Sequence, residues 1–212
     1  VAYLAENLGR VERAWSRSAA QLVAQTGGNI GNMAFWHAAR LLFEEEPFLV
    51  GRNTRARDVP ADVGAMVIPA ANFLNQNANL ASLAALVREL DRPCLVLGLG
   101  AQSEREDRAP KLTDGVVEFL AEISRRTAAI GVRGPFSAEV CALNGAPNTV
   151  VLGCPSLLIN PDRTLGATLE ARMGALRGLR SVSVSGACIK PNTRSVEREL
   201  VRLAAMHPGA SY

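Results

Sequence analysis

The chain has 212 residues, 48% apolar and 20% charged, a balance that suits a buried α/β core and excludes a disordered chain. A net charge of +3, 5% aromatics and basic residues that are nearly all arginine (only Lys111 and Lys190 are lysine), with no long basic block, argue against base stacking and a nucleic-acid partner. Cys94, Cys141, Cys154 and Cys188 form no Cys-x-x-Cys pair and no zinc spacing, and no apolar run nears the ~20 residues of a membrane span. A cytoplasmic protein with reduced thiols, no metal and no transmembrane segment is therefore expected.

In chain order, Leu4, Leu8, Val11 and Trp15 recur at helical intervals, so Tyr3–Arg17 reads as an amphipathic helix. Gln21–Gln25 is a candidate first strand. Thr26-Gly-Gly-Asn-Ile-Gly-Asn32 follows as a loop, and Met33–Phe43 as a helix with Asn32 as its N-cap. Val63–Pro69 reads as a strand, Asn72–Asn79 as a polar loop and Leu80–Leu90 as a helix. Leu95–Leu99 is a buried strand and Arg105–Arg108 a charged loop. Thr113–Arg126 is a helix capped by Thr113, with Val116, Val117, Leu120 and Ile123 facing inward.

Ala128–Val132 is the next strand. Pro135–Leu143 is a helix opened by proline and ended near Gly145, and Thr149–Leu152 is another strand. Strands of about five residues alternating with longer helices imply βαβ units and parallel pairing. Asn160-Pro-Asp162 is the best linker. Beyond it, Leu165–Leu179 reads as a helix, Ser181–Ser185 as a strand and Val196–Met206 as a helix. Residues 1–162 are thus expected to form one domain, and 163–212 a linker helix and the incomplete start of a second. The chain begins without methionine and is read as part of something longer.

Ligands of open α/β sheets bind at the carboxyl ends of strands, and the candidate residues lie at such ends. Gly98, Gly100 and Gln102 follow the Leu95–Leu99 strand; Gln102 offers neutral hydrogen bonds, while the glycines also suit a turn alone. Arg133 ends the Ala128–Val132 strand and can clamp a phosphate or carboxylate, with Ser137 as an added donor; the competing reading pairs it with Glu139. Asn29, Gly31 and Asn32 open a helix whose N-terminus can hold an anion, or simply make a tight turn. His37 is a candidate acid or base, or a packing residue. Cys154 has no histidine partner near it in sequence, so a structural role is favoured.

Four stretches taken together resemble the polysaccharide pyruvyl transferase family: Asn29-Ile-Gly31, Gly98-Leu-Gly-Ala-Gln102, Val132-Arg-Gly-Pro-Phe-Ser137 and Gly153-Cys-Pro-Ser156. The resemblance runs from about Gln21 to Asn160. It implies a Rossmann-like parallel sheet flanked by helices, in a two-domain architecture similar to GT-B glycosyltransferases with the second domain truncated here. It also implies transfer of the pyruvyl unit of phosphoenolpyruvate to a sugar hydroxyl, with no further cofactor. The partners implied are that pyruvyl donor and a carbohydrate acceptor. Arg133 matches the arginine of the family's Arg-Asp-x-x-Ser stretch and would bind the phosphate or carboxylate. Asn29, Gly31 and Gly98 to Gln102 would line the same cleft. The chain departs from the family pattern at Asn32 and Gly134, where acids are usual. A nucleotide-sugar glycosyltransferase and a non-catalytic carbohydrate-binding protein remain the alternatives, and the oligomeric state stays open.

Overall fold

The computed structural model describes residues 1–5, 7–26, 29–51, 53–103, 108–175 and 194–206. The chain divides into two compact units, Val1–Pro161 and Asp162–Tyr212.

In the first unit the strands are β1 (Ala2–Leu4), β2 (Phe48–Val50), β3 (Met66–Pro69), β4 (Cys94–Leu97), β5 (Ile130–Val132) and β6 (Thr149–Val151). The helices are α1 (Ala19–Gln25), α2 (Gly31–Arg40), α3 (Ala81–Leu90), α4 (Asp114–Arg126) and α5 (Pro135–Leu143). β2, β1, β3 and β4 form one parallel sheet in that order, and β5 and β6 pair in parallel. A parallel bridge between Leu99 and Val132 joins the two sets. All these strands therefore end on one edge. The order reverses between β1 and β3, which is the switch point where such sheets open a crevice.

Period-two alternation sorts the strand residues onto two faces. Ala2, Leu4, Met66, Ile68 and Val96 join Val87 of α3 and Val116, Phe119, Leu120 and Ile123 of α4 in one core. Tyr3, Val67 and Leu97 point the other way, onto Phe35, Trp36 and Ala39 of α2. Tyr3 donates its hydroxyl hydrogen bond to the Trp36 carbonyl across that second face. This is a Rossmann-like α/β sheet with helices on both faces. No helix among the described residues is long and apolar enough to cross a membrane.

The structure corrects the sequence reading at the amino-terminal end. Tyr3–Arg17 is not a helix: Ala2–Leu4 is a buried strand, Gly9 has φ +83, and Trp15 is 87% exposed. A central strand buried on both faces is a short continuous apolar run, which periodicity cannot tell from a helix turn. Gln21–Gln25 is helix α1, not a strand. Ser18 and Gln21 cap it reciprocally, through a Ser18 Oγ that accepts from Gln21 N–H and a Gln21 Oε1 that accepts from Ser18 N–H.

Asn32 does not cap α2. It lies inside the first turn and donates to the Thr26 carbonyl, while Asn29 Oδ1 accepts Gly31 N–H. Val117 is exposed, and Phe119 takes its inward place in α4. β2 carries no alternating apolar pattern over its three residues that would mark it as a strand in the sequence. In the second unit the described helices are α6 (Leu165–Gly174) and α7 (Arg194–Ala205). Gly27, Gly28, most of the Arg105–Arg108 loop, residues 176–179, the expected strand Ser181–Ser185 and Cys188 lie outside the described residues.

Candidate functional site

Beyond β3 and β4 the chain does not diverge. Leu74 N–H donates to the Gly100 carbonyl and Gln102 N–H to the Leu74 carbonyl, so the two exits run on as a short parallel pair. Leu99 N–H donates to the Gly131 carbonyl and Arg133 N–H to the Leu99 carbonyl. The carboxyl ends of β3, β4 and β5 are thereby stitched into one rim.

Arg133 spans that rim. Its Nε donates to the Gly98 carbonyl at 2.8 Å, one terminal nitrogen to Asn72 Oδ1 at 3.1 Å, and the other to the Ala70 carbonyl at 3.3 Å. Its guanidinium carbon sits 5.8 Å from the ring centre of Phe35, one turn into α2. All three acceptors are neutral. Glu139 is exposed and does not pair with Arg133, and no carboxylate forms an ion pair with Arg133 among the described residues. A guanidinium has five N–H groups, so one remains on each terminal nitrogen. The side chain is half-buried and fixed in place, and among the described residues no carboxylate compensates its charge.

Two glycines make this geometry possible. Gly98 has φ +71, and a Cβ there would lie 2.3 Å from Pro155 Cδ. Gly100 would place a Cβ 2.5 Å from Asn72 Oδ1 and 3.1 Å from Arg133 Cδ. Gly98→Ala is expected to destabilise the protein by about 2 kcal/mol, from left-handed backbone strain and a clash with a rigid ring. A urea-denaturation midpoint equal to wild type would contradict this.

The other sequence candidates fall at different distances from this centre. Ser137 is buried, and its Oγ accepts the Ala101 N–H at 3.0 Å, so it anchors the β4 exit to α5. Gln102 is exposed on that exit and accepts from Asn72 Nδ2 at 3.4 Å. Asn29 and Gly31 bond to each other in an exposed turn at the start of α2, the helix that also carries Phe35. His37 is not brought to Arg133: two residues beyond Phe35 it points about 200° around the helix, is exposed, and packs against Gly9.

Sequence reasoning missed Asn72, Ala70 and Phe35, whose roles arise from strand order. Nor does the sequence show the electrostatic surroundings of Cys154, three residues past β6. Burial raises the Cys154 thiol, but the Ser156 hydroxyl and amide hydrogen bonds and the charge of Arg133 outweigh it, leaving the pKa below its ordinary value. The Ser156 Oγ lies 3.1 Å from Sγ. Burial pushes Cys94 and Cys141 up to about 11. Cys154 should therefore react with iodoacetamide well before these two. Peptide mass spectrometry over time checks the order, and faster labelling of either buried thiol would refute it.

A sequence model described as polysaccharide pyruvyl transferase matches residues 29–209. The chain belongs to the polysaccharide pyruvyl transferase family. The match takes in the rim built by β3, β4 and β5 and the helix α2 beneath Arg133. Membership carries a pyruvyl-transferase type of function in general terms, hence a transferase with a carbohydrate acceptor. No curated protein and no solved structure matches the chain.

Proposed function

We propose that the protein transfers a pyruvyl unit from phosphoenolpyruvate to hydroxyls of a polysaccharide or glycoconjugate, forming a ketal and releasing inorganic phosphate. The observation that carries this reading is the guanidinium of Arg133, which follows β5 and is held by three neutral acceptors on the exits of β3 and β4. A half-buried cation with no counter-charge among the described residues favours an anion from solution. Phosphoenolpyruvate offers two such groups on a three-carbon frame. Arg133 would take the phosphate or the carboxylate. Gly98, Gly100 and Gln102 would line the site along the β4 exit. Asn29, Gly31 and Asn32 would approach from the amino end of α2, and Ser137 would hold the β4 exit in register.

In chemical terms, a proton is delivered to the terminal CH₂ carbon, and an acceptor hydroxyl oxygen bonds to the cationic C2. The C2–O bond to phosphate then breaks with its electron pair, and a second hydroxyl closes the ketal. One hydroxyl proton balances the new methyl group and the other leaves with phosphate. The protein's part is electrostatic: a fixed positive charge that stabilises the departing dianion. His37 is left out of this scheme, because its direction on α2 separates it from Arg133.

The reading is tested by thermal denaturation of the protein with phosphoenolpyruvate or with uridine diphosphate sugars. A ligand that binds only the native state raises its apparent stability. Stabilisation by phosphoenolpyruvate and phosphate release in the presence of acceptor are expected. Stabilisation by the nucleotide sugars alone, with release of uridine diphosphate, would replace the proposal with a glycosyltransferase reading.

A further inference from the structure

Asn72 stands where a carboxylate would fit. Its amide reaches across the rim to Arg133, 61 residues away in sequence, at 3.1 Å. Arginine has only donors, so the amide oxygen must face the guanidinium and the NH₂ must face Gln102. The backbone of Asn72 is pinned as well, since its carbonyl accepts from Asn75 Nδ2 at 2.7 Å. Gly100 keeps the space open, because any Cβ there would strike Asn72 Oδ1. An aspartate has the same shape and would hold Arg133 more strongly through a charge-assisted bond. The chain carries the neutral isostere instead.

We propose that Asn72 is a positioning residue whose neutrality is its function: it fixes Arg133 in place and links it to Gln102 without cancelling the charge that receives an anionic substrate. This rests on the reading of Arg133 as the anion site. A merely structural strut would be served at least as well by aspartate. A strut in a charge-receiving site would not.

The experiment compares wild type, Asn72→Asp and Asn72→Ala for phosphoenolpyruvate affinity by calorimetry and for thermal midpoint. Asn72→Asp should keep or raise the midpoint while weakening phosphoenolpyruvate binding at least about 30-fold, because an internal anion now competes for the guanidinium and repels the ligand. Asn72→Ala should weaken binding less, by about 3- to 10-fold, since orientation is lost but charge remains. The affinity of Asn72→Asp relative to wild type should recover as the pH falls through the carboxyl range. Wild-type affinity in Asn72→Asp, or an equal loss in both variants with no recovery at low pH, overturns the role of Asn72. If the wild-type protein does not bind phosphoenolpyruvate, the anion-site reading itself falls, and this inference falls with it.

Discussion

Arg133→Ala is expected to weaken binding of phosphoenolpyruvate by roughly 30-fold or more and to lower stability by about 2 kcal/mol. Two separate consequences follow from one deletion. The ligand loses the cation, a loss of about 2–5 kcal/mol for a charged hydrogen-bonded partner, or roughly 30-fold or more in affinity. The protein loses the clamp across Gly98, Ala70 and Asn72. The stability part stays moderate because the rim is half-exposed and water can replace the guanidinium at the freed carbonyls. Arg133→Lys separates the two effects. An ammonium keeps the charge, but one point cannot serve three acceptors spread over two strand exits. It should bind phosphoenolpyruvate weakly but detectably, with a denaturation midpoint between those of wild type and alanine. Calorimetric affinity of Arg133→Ala within a factor of three of wild type would remove Arg133 from the site.

Glu122→Gln should be the more damaging change for the fold. Glu122 sits on α4 with its side chain only 4% exposed. It is met by Arg88 of α3 at 2.8 Å and by Arg125 and Arg126 of its own helix at 2.5 Å each. Burial pushes its carboxyl pKa up, but hydrogen bonds from the three guanidiniums outweigh this and hold it at about 2, against 4.5 when free. Removing one member of a buried ion cluster costs about 3–5 kcal/mol. Arg88 and Arg125 are half-exposed and regain water, so the lower end, about 3 kcal/mol, is expected.

The pH dependence has a definite sign. A depressed carboxyl stabilises the fold fully above about pH 4.5, and that contribution disappears as pH falls toward about 2. The stability gap between wild type and Glu122→Gln should thus be constant near neutrality and shrink in acid. A gap that does not change between pH 7 and pH 3 would show that the carboxylate charge is not what joins α3 to α4.

The parts of the fold that were legible in the sequence are those with length and period. α3, α4 and α5 each repeat their apolar positions over two turns or more, and α5 is framed by Pro135 and Gly145. β1 and β2 were not legible, since strands of three residues, the first buried throughout and the second only at Val50, are too short to carry an alternation of their own. α1 did carry a signal, the Ser18 and Gln21 capping box, which the apolar look of Leu22 and Val23 masked.

The same division holds at the site. Arg133, Gly98 and Gln102 could be picked out because each follows an apolar strand, and strand ends converge in any parallel sheet. Asn72 could not, because only the lateral order β3, β4, β5 carries its amide to Arg133. Cys154 has no histidine near it in sequence. Its electrostatic neighbour is Arg133, just past the adjacent strand, which only the pairing of β5 with β6 brings close.

A guanidinium tied at three points before any ligand arrives has already surrendered its rotamer freedom. That entropy, about 2 kcal/mol for a free arginine side chain, is lost when the chain folds and not again at each encounter. In the proposed reading, capture at this rim would require no search by its principal cation, and the ligand would meet a template already set in shape.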